Sequence, residues 1–172
     1  MKPATKYWKN LFLFCLGLFG AAAFCMKWME SDLYANGEKF SIMGLELFYP
    51  KEKVIAVMTG LDDQVRTVLS YHLHFDFVFM AGVFPGIAAL SMMARHKAAG
   101  QLKTILLVSA ILQAVAWGAD IYENLSLLKW MKDPVIGDEF GLFHFIVAAK
   151  WIIALTGALM AISVLVFMRK KS

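Results

Sequence analysis

Charged residues are scarce in this chain, and they are nearly absent from four long stretches. Asp, Glu, Lys and Arg make up 17% of the 172 residues, whereas hydrophobic residues make up 60%. Soluble globular domains carry about 25% charged residues. This composition therefore argues against a soluble domain and favours a chain that lies mostly in a lipid bilayer.

The four nearly uncharged stretches predict transmembrane helices. They lie at 11–26, 68–94, 104–128 and 142–168. The last three exceed the roughly 20 residues that cross a hydrocarbon core, and interfacial Trp8 and Trp28 extend the first to 8–28. A signal peptide's apolar region is only about 7 to 15 residues long, so we expect the first helix to be retained. The prediction is an all-α membrane protein with one domain, 1–172, and helices at about 8–28, 68–94, 104–128 and 142–168.

Acidic residues are missing from three places where basic residues gather. These places hold Lys2, Lys6 and Lys9, then Arg95, Lys97 and Lys103, and finally Arg169, Lys170 and Lys171. Because Lys and Arg near helix ends stay on the cytoplasmic side, both termini are predicted to be cytoplasmic and the protein to reside in the cell inner membrane. The net charge of +4 then reflects the basic residues that set the orientation of the chain in the membrane. No nucleic-acid partner is expected.

Several catalytic and redox signatures are also lacking. Cys15 and Cys25 lie on one predicted helix about 15 Å apart, which is too far for a disulfide. A Cys-x-x-Cys motif, a glycine-rich phosphate loop and a convincing Ser-His-acid arrangement are absent. No motif names a cofactor, and whether the protein is an enzyme stays undecided.

The stretch 29–67 is predicted to form a small extracytoplasmic cap. Asn36-Gly37 favours a β-hairpin with a type I′ turn, and a strand is expected to continue over 39–49. Asp62 or Asp63 is expected to cap the second transmembrane helix.

Three ionisable residues share one depth in the predicted bundle. Asp76, Asp120 and Lys150 each lie eight residues from the outer end of their helix, or roughly 12 Å below the outer surface. Intramembrane charges usually face a bundle interior and mark function, and an acid and an amine cost far less buried together. We therefore predict that the three residues form one layer.

Helical periodicity adds polar neighbours to this layer. One face of the third helix carries mostly polar or small side chains, namely Ser109, Gln113, Ala116, Asp120, Glu123 and Asn124. On the second helix, His72 is predicted to hydrogen-bond with Asp76, which lies one turn away. Small residues share the face of Lys150, while Pro85 is expected to kink or open the second helix. The predicted ligand-binding residues are Asp76, Asp120, Glu123, Asn124, Lys150, His72 and Gln113.

The predicted site has more acidic than basic side chains, because the carboxyls of Asp76, Asp120 and Glu123 face the single Lys150. The excess calls for a protonated carboxyl, a bound cation or a cationic ligand. A metal is not expected, since Lys150 repels one and the ligand spacing is not specific. The weaker alternative is a metal site formed by His72, His74, Asp76 and His144.

Three short segments carry a resemblance to a protein family. The segments are His74-Phe75-Asp76-Phe77, Asp120-Ile121-Tyr122-Glu123-Asn124 and Ala149-Lys150-Trp151. They resemble a pattern in small, uncharacterised bacterial four-helix inner-membrane proteins. The resemblance covers the whole chain and implies no activity. The chain lacks the claudin Gly-Leu-Trp motif and the active-site cysteines of vitamin K epoxide reductases.

These features support three functional hypotheses. The first is an outward-facing polar pocket, within the bilayer, that binds a small molecule, a lipid head group or a cation for transport or sensing. The second is a membrane-embedded enzyme that modifies lipids, with Asp120 or Glu123 as general acid or base and His72 as its partner. The third is a structural or accessory subunit whose ion pairs only fix helix register, within a homo-oligomer or a larger membrane complex.

Overall fold

The protein is mostly α-helical in the computed structural model, which describes residues 3–168, with side chains from residue 5 onward. The helices are α1 (Pro3–Met29), α2 (Lys51–Thr59), α3 (Asp63–Arg95), α4 (Gln101–Lys132) and α5 (Glu139–Phe167). Within these residues, four helices are long and apolar enough to cross a membrane, namely all except α2. The predicted set of four long apolar helices is confirmed. Each helix begins a few residues before the apolar stretch seen in the sequence, because the polar residues that precede the stretch are also helical.

Helix α3 lies at the centre of the bundle and packs against α1, α4 and α5. Its contact with α1 is close because Gly82 and Gly86, four residues apart, present no side chain. A Cβ atom on Gly82 would lie 2.6 Å from the backbone nitrogen of Phe19 and 2.8 Å from the carbonyl oxygen of Cys15. This is the small-xxx-small packing found between transmembrane helices. Helix α3 runs through Pro85 without a break.

A short hairpin follows α1. Strands β1 (Tyr34–Ala35) and β2 (Glu38–Lys39) pair antiparallel. Asn36 and Gly37 in the turn between them have φ values of 53° and 78°, as a type I′ turn requires. The predicted hairpin is therefore confirmed.

The predicted strand over 39–49 is wrong, because a π-helical turn (Gly44–Phe48) occupies its second half. The Ser41 hydroxyl accepts a hydrogen bond from the Gly44 backbone N–H at 3.0 Å, as an N-cap side chain does at the start of a helix. The turn buries Leu45 and Glu46 together, which an alternating strand would place on opposite faces.

Residues 30–62, which we call the connecting segment, pack on one end of the bundle. Buried Leu33, Leu45 and Met58 join a hydrophobic core with Leu69 at the start of α3 and Phe143 at the start of α5. The end of α4 contributes to the same core. The connecting segment therefore covers the bundle end from which α3 and α5 begin.

The start of α3 is fixed by a side-chain cap. The Asp62 carboxylate accepts a hydrogen bond from the Val65 backbone N–H at 2.8 Å. The predicted cap is confirmed at Asp62, and it satisfies one of the free N–H groups of the first helical turn.

Candidate functional site

Lys150 is the centre of a buried group of charges. Its side chain projects from α5 and is 5% exposed. The ammonium Nζ donates to Asp120 Oδ1 at 2.7 Å and to Glu123 Oε2 at 2.5 Å. Residues three apart share one face of a helix, so α4 presents both carboxylates to the same lysine. One ammonium therefore serves two carboxylates.

Asp76 is held by a neutral partner. The Asn124 side-chain amide on α4 donates to Asp76 Oδ2 at 2.6 Å, and it lies 3.4 Å from the Leu73 carbonyl oxygen. The predicted hydrogen bond between His72 and Asp76 is wrong, because neither ring nitrogen of His72 has a hydrogen-bond partner among the described residues. Asp76 accepts from the amide on the neighbouring helix instead of from its own helix.

Glu46 joins the site from the connecting segment, and sequence reasoning missed it. It is 8% exposed, and its carboxyl lies close enough to that of Glu123 for their charges to interact. Burial, and then the negative charge of Glu123, raise the pKa of Glu46 well above its ordinary value. A protonated Glu46 can donate to the Glu123 carboxylate. The available signal was an acid between Leu45 and Leu47, inside a short apolar run.

Replacing Glu46 with Gln should change how stability depends on pH. Above the ordinary pKa of glutamate the unfolded chain loses this proton while the folded protein keeps it, so wild-type stability should fall as pH rises through that window. Glu46→Gln removes this contribution and should flatten the fall as pH rises above the ordinary pKa of glutamate. Thermal unfolding of the detergent-solubilised protein at several pH values measures the effect.

Glu38→Gln is the control for that measurement, because Glu38 is exposed in the hairpin. This variant should keep the wild-type pH profile. A Glu46→Gln profile parallel to that of wild type would show that Glu46 does not hold a proton in the folded protein.

A cavity of about 370 Å³ adjoins the charged group. Its polar wall is formed by Glu30, Glu46, His72, Asp76, Asp120 and Lys150. Its remaining wall is mostly apolar and includes Phe19, Phe79, Phe84, Ile87, Leu155 and Ala158. Because Leu155 is 54% exposed, the cavity reaches the bundle surface between α1 and α5. The cavity is thus polar at one end and apolar along the rest.

Three of the predicted site residues do not line this cavity. Glu123 and Asn124 lie behind its wall and bond to Lys150 and Asp76. Gln113 lies apart from the charges, and its amide Nε2 is 3.2 Å from the Ser109 carbonyl oxygen and 3.4 Å from that of Ile153. The placement of Gln113 follows from its neighbour on α5, Gly157, whose missing side chain leaves room for the amide.

A metal-binding arrangement is not found among residues 3–168, where no group of three or more His, Cys, Asp or Glu side chains could hold an ion. The histidines of the metal alternative point to different surroundings. His74 is exposed, with Nδ1 2.6 Å from the Ser70 carbonyl oxygen, whereas the His144 ring packs 4.3 Å from that of Phe140. The structure does not bring His72, His74, Asp76 and His144 together as ligands.

The fold and this site define a helical protein with four potential membrane spans and a cavity beside a buried ion-pair group. No protein-family model, curated protein or solved structure matches the chain.

Proposed function

We propose that the chain is a multi-pass inner-membrane protein with cytoplasmic termini and an extracytoplasmic connecting segment. Basic Lys97 lies in the α3–α4 connection, and Arg95 and Lys103 lie at the helix ends that flank it. The Lys97 ammonium donates to the Leu165 carbonyl oxygen at 2.8 Å. This basic connection therefore lies at the end of α5, away from the connecting segment. The positive-inside rule assigns that end to the cytoplasm.

The basic residues at the chain termini bear on the same orientation. Lys6 and Lys9 belong to the start of α1, whereas Lys2, Arg169, Lys170 and Lys171 lie outside the residues that the structure describes. Their charges support the same cytoplasmic assignment from the sequence.

The cavity serves, in this proposal, as a binding pocket for a small amphipathic molecule, for sensing or transport. The proposal rests on one observation: the cavity of about 370 Å³ has charged side chains on one wall and mostly apolar side chains on the others. Ligand pockets typically hold about 300–1,000 Å³ and combine apolar walls with a few polar groups. The gap between α1 and α5 offers such a molecule a route from the hydrocarbon region of the bilayer.

A purely structural role explains less of this arrangement. Lys150 with Asp120 and Glu123 could fix helix register on its own. A register device needs no cavity, yet His72 and Asp76 also face the cavity. An acid–base enzyme is supported less, because within the described residues the His72 ring has no hydrogen-bonded carboxylate. The pocket hypothesis accounts for both the paired charges and the open space.

Photoaffinity labelling of the purified protein tests the pocket. Three probes share a diazirine-bearing dodecyl chain and differ only in the head group, which is an ammonium, a hydroxyl or a carboxylate. At least one probe should label cavity residues such as Phe79 and Leu155, as mapped by mass spectrometry. Ala158→Phe should block this labelling because the added ring fills the cavity beside α1.

Ala114→Phe is the matched control, since Ala114 is exposed on α4 and does not line the cavity. It should leave the labelling pattern unchanged. Absence of cavity labelling by all three probes, or equal labelling in Ala158→Phe, would overturn the proposed function.

A further inference from the structure

The cavity wall has an unbalanced charge distribution, which bears on the ligand that the proposed pocket takes. Four acidic residues, Glu30, Glu46, Asp76 and Asp120, line it. Among the described residues Lys150 is the only Lys or Arg in the lining. Glu30 has its own partner, because Lys27 Nζ lies 2.5 Å from Glu30 Oε2. A protonated Glu46 needs no cation, so Asp76 and Asp120 are left to depend on Lys150 or on a group from outside the chain.

Two of the three N–H donors of Lys150 are already used by carboxylates on α4. Its ammonium contacts Asp120 Oδ1 and Glu123 Oε2. Among the described residues, the one hydrogen bond that Asp76 accepts through its side chain comes from the neutral Asn124 amide. A carboxylate in an apolar surrounding is costly without a compensating charge. The Asp76 carboxylate is therefore the place on the cavity wall that lacks a cation.

His72 provides an independent sign of a missing ligand. Its side chain is 1% exposed and lines the cavity, and both ring nitrogens lack a partner among the described residues. Buried polar groups are nearly always hydrogen-bonded, and leaving one unpaired is unfavourable. His72 and Asp76 lie one helical turn apart on α3. A donor group that enters the cavity at Asp76 can also reach the unpaired imidazole.

Resting on the proposed function, we infer that the pocket selects a hydrophobic amine, whose ammonium group binds Asp76 and His72 while its apolar chain lies between α1 and α5. An ammonium supplies the positive charge that Asp76 lacks and an N–H donor for the imidazole. The aromatic side chains of Phe79 and Trp151 in the lining also favour a cation. A carboxylate head group would meet several acids and is excluded by repulsion.

The three photoreactive probes test this selectivity in the wild-type protein. The concentration of ammonium probe that half-saturates cavity labelling should be at least about tenfold lower than that of the hydroxyl probe. The carboxylate probe should label most weakly. Labelling in Ala158→Phe sets the background from probe dissolved in the micelle.

Asp76→Asn should bring the half-saturating concentrations of the ammonium and hydroxyl probes close together, without loss of hydroxyl labelling. Asp63→Asn, at an exposed acid in the first turn of α3, should keep the wild-type ratio. Equal labelling by the two probes in wild type, or a preference that survives Asp76→Asn, would overturn the inference. Saturable hydroxyl labelling that Ala158→Phe blocks would leave the proposed function standing in that case. The wild-type ratio decides the question even if Asp76→Asn does not fold.

Discussion

Replacing Lys150 with Met should lower the free energy of unfolding by about 3–5 kcal/mol. The substitution keeps an unbranched side chain but removes the ammonium that contacts Asp120 and Glu123. Both acids are buried, at 3% and 0% exposure, so two carboxylates would remain without a counter-charge. Equilibrium unfolding in mixed micelles, followed by circular dichroism, measures the loss.

Neutralising the two acids should restore much of that stability. In the triple variant Lys150→Met, Asp120→Asn and Glu123→Gln, no unpaired charge is left, and buried ion pairs replaced as a unit often cost little. Lys129→Met, at an exposed lysine near the end of α4, should change stability by less than about 0.5 kcal/mol. If Lys150→Met matched wild type, or if the triple variant were no better than the single one, the charges would not be coupled as described.

Replacing Gly82 with Leu should separate α1 from α3. The new Cβ would meet backbone atoms of Phe19 and Cys15 at 2.6–2.8 Å, and backbone cannot turn aside as a flexible side chain can. Overpacking usually costs about 1–3 kcal/mol, and here the easiest relief is displacement of α1. Cys15 is 2% exposed in its position beside α3. In a Cys25→Ser background, Gly82→Leu should therefore make Cys15 react with a maleimide about tenfold faster or more than it does with Gly82 in place.

Gly118→Leu is the matched control, because a Cβ at this exposed position on α4 meets nothing within 4 Å. It should leave Cys15 protected. An unreactive Cys15 in Gly82→Leu would show that α1 does not depend on close approach at this glycine.

The long helices and their inward faces could be predicted from sequence because both depend on local, periodic signals. The α4 positions with polar or small side chains recur at helical spacing, and Ser109, Gln113, Asp120 and Asn124 are all buried in the folded protein. Equal depth along antiparallel helices also predicted that Asp120 and Lys150 would meet, and their charged atoms lie 2.7 Å apart.

The contribution of Glu46 could not be predicted in the same way. It belongs to an irregular turn whose path depends on Ser41 and on packing against the bundle end. The absence of a bond between His72 and Asp76 has a similar cause. Spacing places two residues on one face, but the competing Asn124 amide on another helix decides which bond forms.

The tight α1–α3 contact had a local signal, which is the four-residue spacing of Gly82 and Gly86. That spacing marks a close helix approach without naming the partner. Because α3 has neighbours on several sides, only the assembled bundle assigns this face to α1. Sequence therefore predicts where the helix surface is flat, whereas the partner depends on long-range packing.

An experimental density map of the protein in lipid nanodiscs with added dodecylamine tests the central claim most directly. The account predicts elongated density in the cavity beside α1, with its head at Asp76 and His72 and its tail toward Leu155 and Ala158. Dodecylamine density should be missing from the cavity of Ala158→Phe under the same conditions. A wild-type cavity that is closed or empty at saturating amine would contradict the account.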